Sequence, residues 1–169
     1  MKDIKLVVVF AFFLGLSIEP LFAQESILKN LVESKRDSKY CFYPSTLRMI
    51  NLKKNETYNE LVSGVDKFLI YTLDSIARVD KSYRNISDQY LQAGFDEYAT
   101  IFGGELNMSI VGKEYSGYQE YVGYFDQKGE MVVAFYLRGN IPWQKIPTLI
   151  QNMNEMDMLD LFDFKELTF

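Results

Sequence analysis

No histidine occurs anywhere in the sequence, and Cys41 is its only cysteine. The first absence removes Ser-His and Cys-His nucleophilic systems, histidine zinc ligands and the commonest general base together. The second removes thiolate metal sites and makes redox catalysis an unpromising reading. Set between Tyr40 and Phe42, Cys41 reads as buried and inert, the alternative being a thiol able to join a second molecule. A glycine-rich phosphate loop is missing as well: Gly103-Gly104 lacks the downstream Gly and Lys, and reads as the stop of a helix. Asp157, Asp160 and Asp163 recur at a spacing of three, whereas a calcium loop needs alternate oxygen ligands around a glycine. Neither a metal nor a cofactor is expected. Basic charge is also in short supply. The formal charge is −5, and it stays there when Lys2, Asp3, Lys5 and Glu19 are removed with a leader, which disfavours a nucleic-acid partner.

Residues 1–23 have the three parts of a secretory signal peptide: Lys2 and Lys5, an apolar run from Leu6 to Leu16, and a small residue, Ala23, at a cleavage point. The run is short for a membrane span, no stop-transfer pattern follows, and no lipid-attachment cysteine stands after Ala23. The expected location is exported, in the periplasm or cell envelope, with residues 24–169 forming a single α+β domain. The sequons at Asn55, Asn85 and Asn107 matter only in a eukaryotic secretory pathway.

Apolar positions Ile27, Leu28, Leu31 and Val32 have helical spacing, so residues 25–36 should form a first helix. Lys39 to Tyr43 reads as a short aromatic strand that Pro44 and Ser45 break, ahead of a helical turn or two. Thr57 with Glu60 has the form of a capping box before a short helix. Phe68 to Leu73 is an unbroken apolar run that suits a strand buried on both faces. A longer helix capped by Asn85 or Ser87 is predicted through Tyr90, Leu91, Phe95, Tyr98, Ile101 and Phe102. After three strands comes a last helix carrying Ile146, Leu149, Ile150 and Met153, with Pro147 confined to its first turn. Residues 156–164 alternate acidic with apolar and are expected to form an edge strand or to stay partly loose.

Those three strands, spanning Gly104 to Arg138, read as an antiparallel meander. Asp126-Gln127-Lys128-Gly129 is a turn signal, and with Asp126 facing Glu130 it sets Tyr121 opposite Phe135. One face, with Phe125, Tyr121, Val133, Phe135 and Leu137, is apolar. The other carries Tyr118, Glu120, Val122, Tyr124, Val132, Ala134, Tyr136 and Arg138, and reads as mixed and half covered. The expected fold is α+β, a two-layer sandwich with an antiparallel sheet, a C-terminal three-stranded meander and helices mainly on one face. The split β-α-β arrangement is the nearest topology, by analogy only.

Carboxylates are the remaining candidates for acid-base work, with Asp96 and Glu97 expected on the long helix and Glu105, Glu114, Glu120, Asp126 and Glu130 on the meander. No spacing marks a pair, and turn, cap and solvated-face roles account for each, so no catalytic residue is assigned. The aromatics suggest more. Tyr118, Tyr124 and Tyr136 with Arg138, joined by Tyr115, form a candidate surface for protein or sugar; cover by another helix explains them equally well.

Pro44-Ser45-Thr46-Leu47-Arg48-Met49 after the aromatic strand, the long meander, and the closing run from Gly139 to Met153 give the chain a resemblance. It resembles the exported family called domain of unknown function 4252 of Gram-negative bacteria. The resemblance implies export and brings no catalytic residues. The chain departs from it in lacking a lipid-attachment cysteine and in carrying Pro147. The expected function is that of an exported, non-catalytic domain binding another protein or an envelope component. A carboxylate-dependent hydrolase of the envelope, or a regulatory element of envelope signalling, are the alternatives.

Overall fold

The computed structural model describes residues 23–50, 56–104, 106–127 and 131–155. Residues 1–22 of the expected signal peptide (1–23), the tail 156–164, Glu105 and Glu130 lie outside them. In chain order the elements are α1 (Ala23–Val32), β1 (Arg36–Phe42), α2 (Pro44–Ile50), α3 (Glu56–Ser63), β2 (Val65–Leu73) and α4 (Ser75–Asp80). A single 3-10 turn then leads to α5 (Asn85–Gln92), β3 (Asp96–Ile101), β4 (Leu106–Tyr115), β5 (Tyr118–Gln127) and β6 (Met131–Gly139). After a second 3-10 turn, α6 (Ile146–Glu155) closes the described chain, with Pro147 in its first turn as expected.

All six strands form one antiparallel sheet in the order β1-β2-β6-β5-β4-β3, so the molecule is α+β. The consecutive strands β3 to β6 form a meander that starts at one edge and ends beside β2. Reaching that edge requires a crossover, and α4 and α5 supply it. The strands it connects, β2 and β3, run in the same direction with three others between them, a wide form of the split β-α-β arrangement.

Because side chains alternate across a strand, β2 sends Phe68 and Ile70 to one face and Leu69, Tyr71 and Leu73 to the other. Both sets are buried, as its unbroken apolar run predicts. On the first face, Phe68, Tyr121, Val133, Phe135 and Leu137 pack with Leu47 of α2, Tyr58 and Val62 of α3, and Ile146 and Leu149 of α6. On the second, Tyr71, Val122, Tyr124, Val132 and Tyr136 pack with Leu28 and Val32 of α1, Ala77 of α4, and Ile86 and Tyr90 of α5. The helices are thus divided between the faces rather than gathered mainly on one. The mixed face is covered at its centre, because α1 and the crossover both land there.

The β5–β6 pairing differs from the expected one by two residues: Tyr121 faces Leu137, and Phe125 faces Val133. Two residues is a full side-chain period, so every side chain keeps the face assigned to it while its partner changes. The hairpin now closes at Gln127 with Met131.

The predicted long helix stops early. In α5 the Phe95 N–H donates to the Tyr90 carbonyl at 3.0 Å and the Gly94 N–H to that of Leu91 at 3.1 Å, with Gly94 at φ 81°. This is a Schellman C-cap, completed by the edge-to-face contact of the Tyr90 and Phe95 rings at 4.9 Å. Asp96 and Glu97 therefore stand exposed on the edge strand β3, and Gly103-Gly104 belongs to the β3–β4 connection rather than ending a helix. Only the Lys113 ammonium comes within reach of a Cβ at position 94, at 4.0 Å. Gly94→Ala is therefore expected to cost about 1 kcal/mol through backbone conformation alone, measured as the shift in urea-unfolding free energy.

Two smaller expectations are also corrected. Cys41 is exposed, since β1 is an edge strand and alternate residues face outward. Thr57 lies inside α3, whose first residue is Glu56, and so is not its cap.

Candidate interaction surface

Strands β4 and β5 are joined by Ser116-Gly117, with Gly117 at φ 95°, a backbone that favours glycine. This tight connection sets Tyr115 opposite Tyr118 and, one side-chain period further, Lys113 opposite Glu120. On the next strand Arg138 stands opposite Glu120. Lys113, Glu120 and Arg138 thus form one cross-strand row on the α1 and α5 face, with the tyrosine pair beyond it at the end of the sheet.

The two tyrosine rings stack, with centroids 4.8 Å apart and planes 13° from parallel. Arg138 lies over the outer face of Tyr118, its guanidinium carbon 4.4 Å from the ring centre. The Lys113 ammonium lies 5.7 Å from the centre of Tyr115. Each positive charge faces the negative π surface of a ring, so the four side chains form layers of cation, ring, ring and cation. All four are half-buried. Arg138 Nε also approaches Asp66 Oδ2 at 3.9 Å, close enough for charge attraction but too long for a hydrogen bond.

Beneath this stack Glu120 is 3% exposed, a carboxylate set inside the sheet-helix interface. Its Oε1 accepts a hydrogen bond from the Tyr136 hydroxyl at 2.8 Å, while Oε2 is buried with no hydrogen-bond partner among the described residues. Burial raises the Tyr136 hydroxyl pKa well above its ordinary value, and the charge of Glu120 raises it further. Tyr136 is therefore a neutral donor throughout the physiological range.

Of the four residues assigned to a binding surface, the structure brings Tyr118 and Arg138 together at the surface. Tyr136 is buried below them as the partner of Glu120. Tyr124 belongs elsewhere: it is 1% exposed, with the ring of Tyr83 edge-on at 5.0 Å. Both corrections have one cause, the helices covering the middle of the mixed face. Lys113 was not anticipated, although the Tyr-Ser-Gly-Tyr connection would have placed it: pairing Tyr115 with Tyr118 fixes Lys113 beside Glu120.

The other described carboxylates of β4 and β5, Glu114 and Asp126, have local partners. Asp126 accepts from the Tyr83 hydroxyl at 2.6 Å and from Asn107 at 3.0 Å, and Glu114 from the Tyr98 hydroxyl at 3.1 Å. Burial, aided by Asp126, pushes the Tyr83 hydroxyl up to about 12. Among the described residues no group of three or more His, Cys, Asp or Glu could hold a metal ion, and no helix is long and apolar enough to cross a membrane. Comparison with protein-family models, with curated proteins and with solved structures gave no match, so the resemblance noted above rests on this chain's own residues.

Proposed function

We propose that this protein is an exported, non-catalytic domain of the periplasm or cell envelope that binds another protein or an envelope component through the Tyr115–Tyr118 end of its sheet. The observation that carries the reading is the layered stack of Lys113, Tyr115, Tyr118 and Arg138. Tyrosine offers large contact area at little entropy cost, and arginine and tyrosine are the residue types enriched at binding hot spots. Their positions are preset by strand register and mutual stacking, so little order need be imposed on binding. The row beneath favours this over a carboxylate hydrolase. Such an enzyme needs a second carboxylate facing Glu120, and the neighbouring strands place Lys113 and Arg138 there instead.

Affinity of the exported protein for a partner isolated from envelope extract tests the reading. Tyr118→Ala is expected to weaken binding by about 2 kcal/mol, roughly 30-fold, with Arg138→Ala acting in the same direction. Unchanged affinity in both variants would remove this end of the sheet from consideration. Tyr124→Ala, by contrast, should lower stability, because that ring is core.

A further inference from the structure

The two edges of the sheet differ in charge. Among the described residues β1 and β3 each have a strand on one side only, and the outer side of an edge strand presents N–H and C=O groups on which another chain can pair. Edge β1 carries Arg36 and Lys39 beside a single acid, Asp37; edge β3 carries Asp96 and Glu97 and no basic residue. Lys39, Asp96 and Glu97 are exposed, and none forms an ion pair among the described residues.

Direction is compatible with joining one edge to the other. The six strands alternate in direction, so β1 and β3, first and last in the sheet, run oppositely. Setting β3 of one molecule beside β1 of a second, with the two sheets side by side, therefore continues the antiparallel alternation and keeps each face on its own side. An odd number of strands would have made that contact parallel.

Charge and irregularity select the same register. Each edge strand carries one bulge: Asp37 is the extra residue between Arg36 and Ser38, and Tyr98 the extra residue between Glu97 and Ala99. With Lys39 opposite Glu97, Ser38 falls opposite Ala99 and Arg36 opposite Thr100, because both strands insert their extra residue over the same stretch. Faces agree as well. Lys39 and Arg36 stand opposite Tyr71 and Leu73 of β2, and Glu97 and Thr100 opposite Val111 and Ser109 of β4, all on the α1 and α5 face. A bulge alone turns an edge away from pairing, whereas a bulge met by a bulge leaves the ladder in step. The neighbouring registers that keep the faces set the two bulges at different levels.

We propose that this protein associates head to tail with further copies of itself, β3 of one molecule pairing with β1 of the next, so that one sheet continues through successive molecules. Only this contact joins the basic edge to the acidic one. A twofold contact between like edges joins two copies and stops; the β1–β3 contact leaves a β1 and a β3 at the two ends and extends. It uses neither Tyr115 nor Tyr118 and does not depend on the binding reading above.

Sedimentation of the purified protein in low salt, over concentrations rising to its solubility limit, should show dimer, trimer and longer species in succession. Lys39→Glu and Glu97→Lys, both at exposed positions, should each weaken association about tenfold, since attraction across the strands becomes repulsion. The double variant reverses both edges and should recover the wild-type behaviour, as should an equimolar mixture of the two single variants. Carbodiimide coupling, which joins an amine to a carboxylate in contact, needs no variant. In a mixture of unlabelled and heavy-nitrogen-labelled wild type it should link Lys39 of one molecule to Glu97 of another, giving a joined peptide with one labelled half. A monomer throughout the series, a series that stops at the dimer, association unmoved by both charge reversals, or coupling that never joins Lys39 to Glu97 between molecules would each overturn the proposal.

Discussion

Gly123→Ala is expected to destabilise the domain by about 3 kcal/mol. Gly123 lies in the middle of β5, between Ile110 on β4 and Phe135 on β6. A Cβ there would stand 2.0 Å from the Ser109 carbonyl oxygen and 3.0 Å from the Phe135 ring. The first contact is with backbone, so relief requires β4 to move away from β5 and strain its ladder of hydrogen bonds. The backbone at Gly123 lies outside the left-handed region, so the whole cost is steric. A urea-unfolding series measures it, and a loss below about 0.5 kcal/mol, within the ordinary range of surface changes, would show that the two strands can part without penalty.

The division of the meander into two faces was legible in the sequence because alternation has a period of two and every strand shows it. Register was not legible to the residue, since pairings two residues apart satisfy the same alternation and only the turn separates them. Tyr121 accordingly kept its face and changed its partner from Phe135 to Leu137. The helix expected through Phe102 failed for a different reason. Tyr90, Leu91, Phe95, Tyr98, Ile101 and Phe102 match helical spacing, but the cap at Gly94 ends the helix and the pairing of β3 with β4 places Tyr98 and Ile101 on an edge strand. A glycine inside a periodic apolar pattern carried that signal.

At the candidate site, Tyr118 and Arg138 could be assigned to one face from spacing alone. Whether a tyrosine on that face is surface or core depends on where the helices land. That is a long-range fact which local pattern does not contain, and it separates Tyr118 from Tyr124. Glu120 shows the same limit. Its burial and its bond with Tyr136 follow from α1 and α5 arriving above it, whereas its sequence neighbours suggest an ordinary solvated carboxylate.

Phe135→Ala should have the largest effect of the single changes considered, about 4 kcal/mol. The side chain is fully buried on the α2, α3 and α6 face. Its ring lies edge-on to Phe68 at 6.3 Å and tilted against Phe125 at 5.6 Å, and it fills the space that Gly123 leaves open. Truncation removes the transfer energy of the ring and leaves a cavity that a stiff sheet cannot close. The double variant Gly123→Ala with Phe135→Ala separates the two sources of strain at position 123. If the ring were the main obstacle, removing it would make the added methyl harmless, and the double variant would be no less stable than Phe135→Ala alone. With the Ser109 carbonyl as the nearer contact, the two losses should instead add to within about 1 kcal/mol, a modest coupling for residues that touch. Full rescue in the unfolding free energy would show that the sheet yields at β4 and that the aromatic packing, not the backbone, requires glycine at this position.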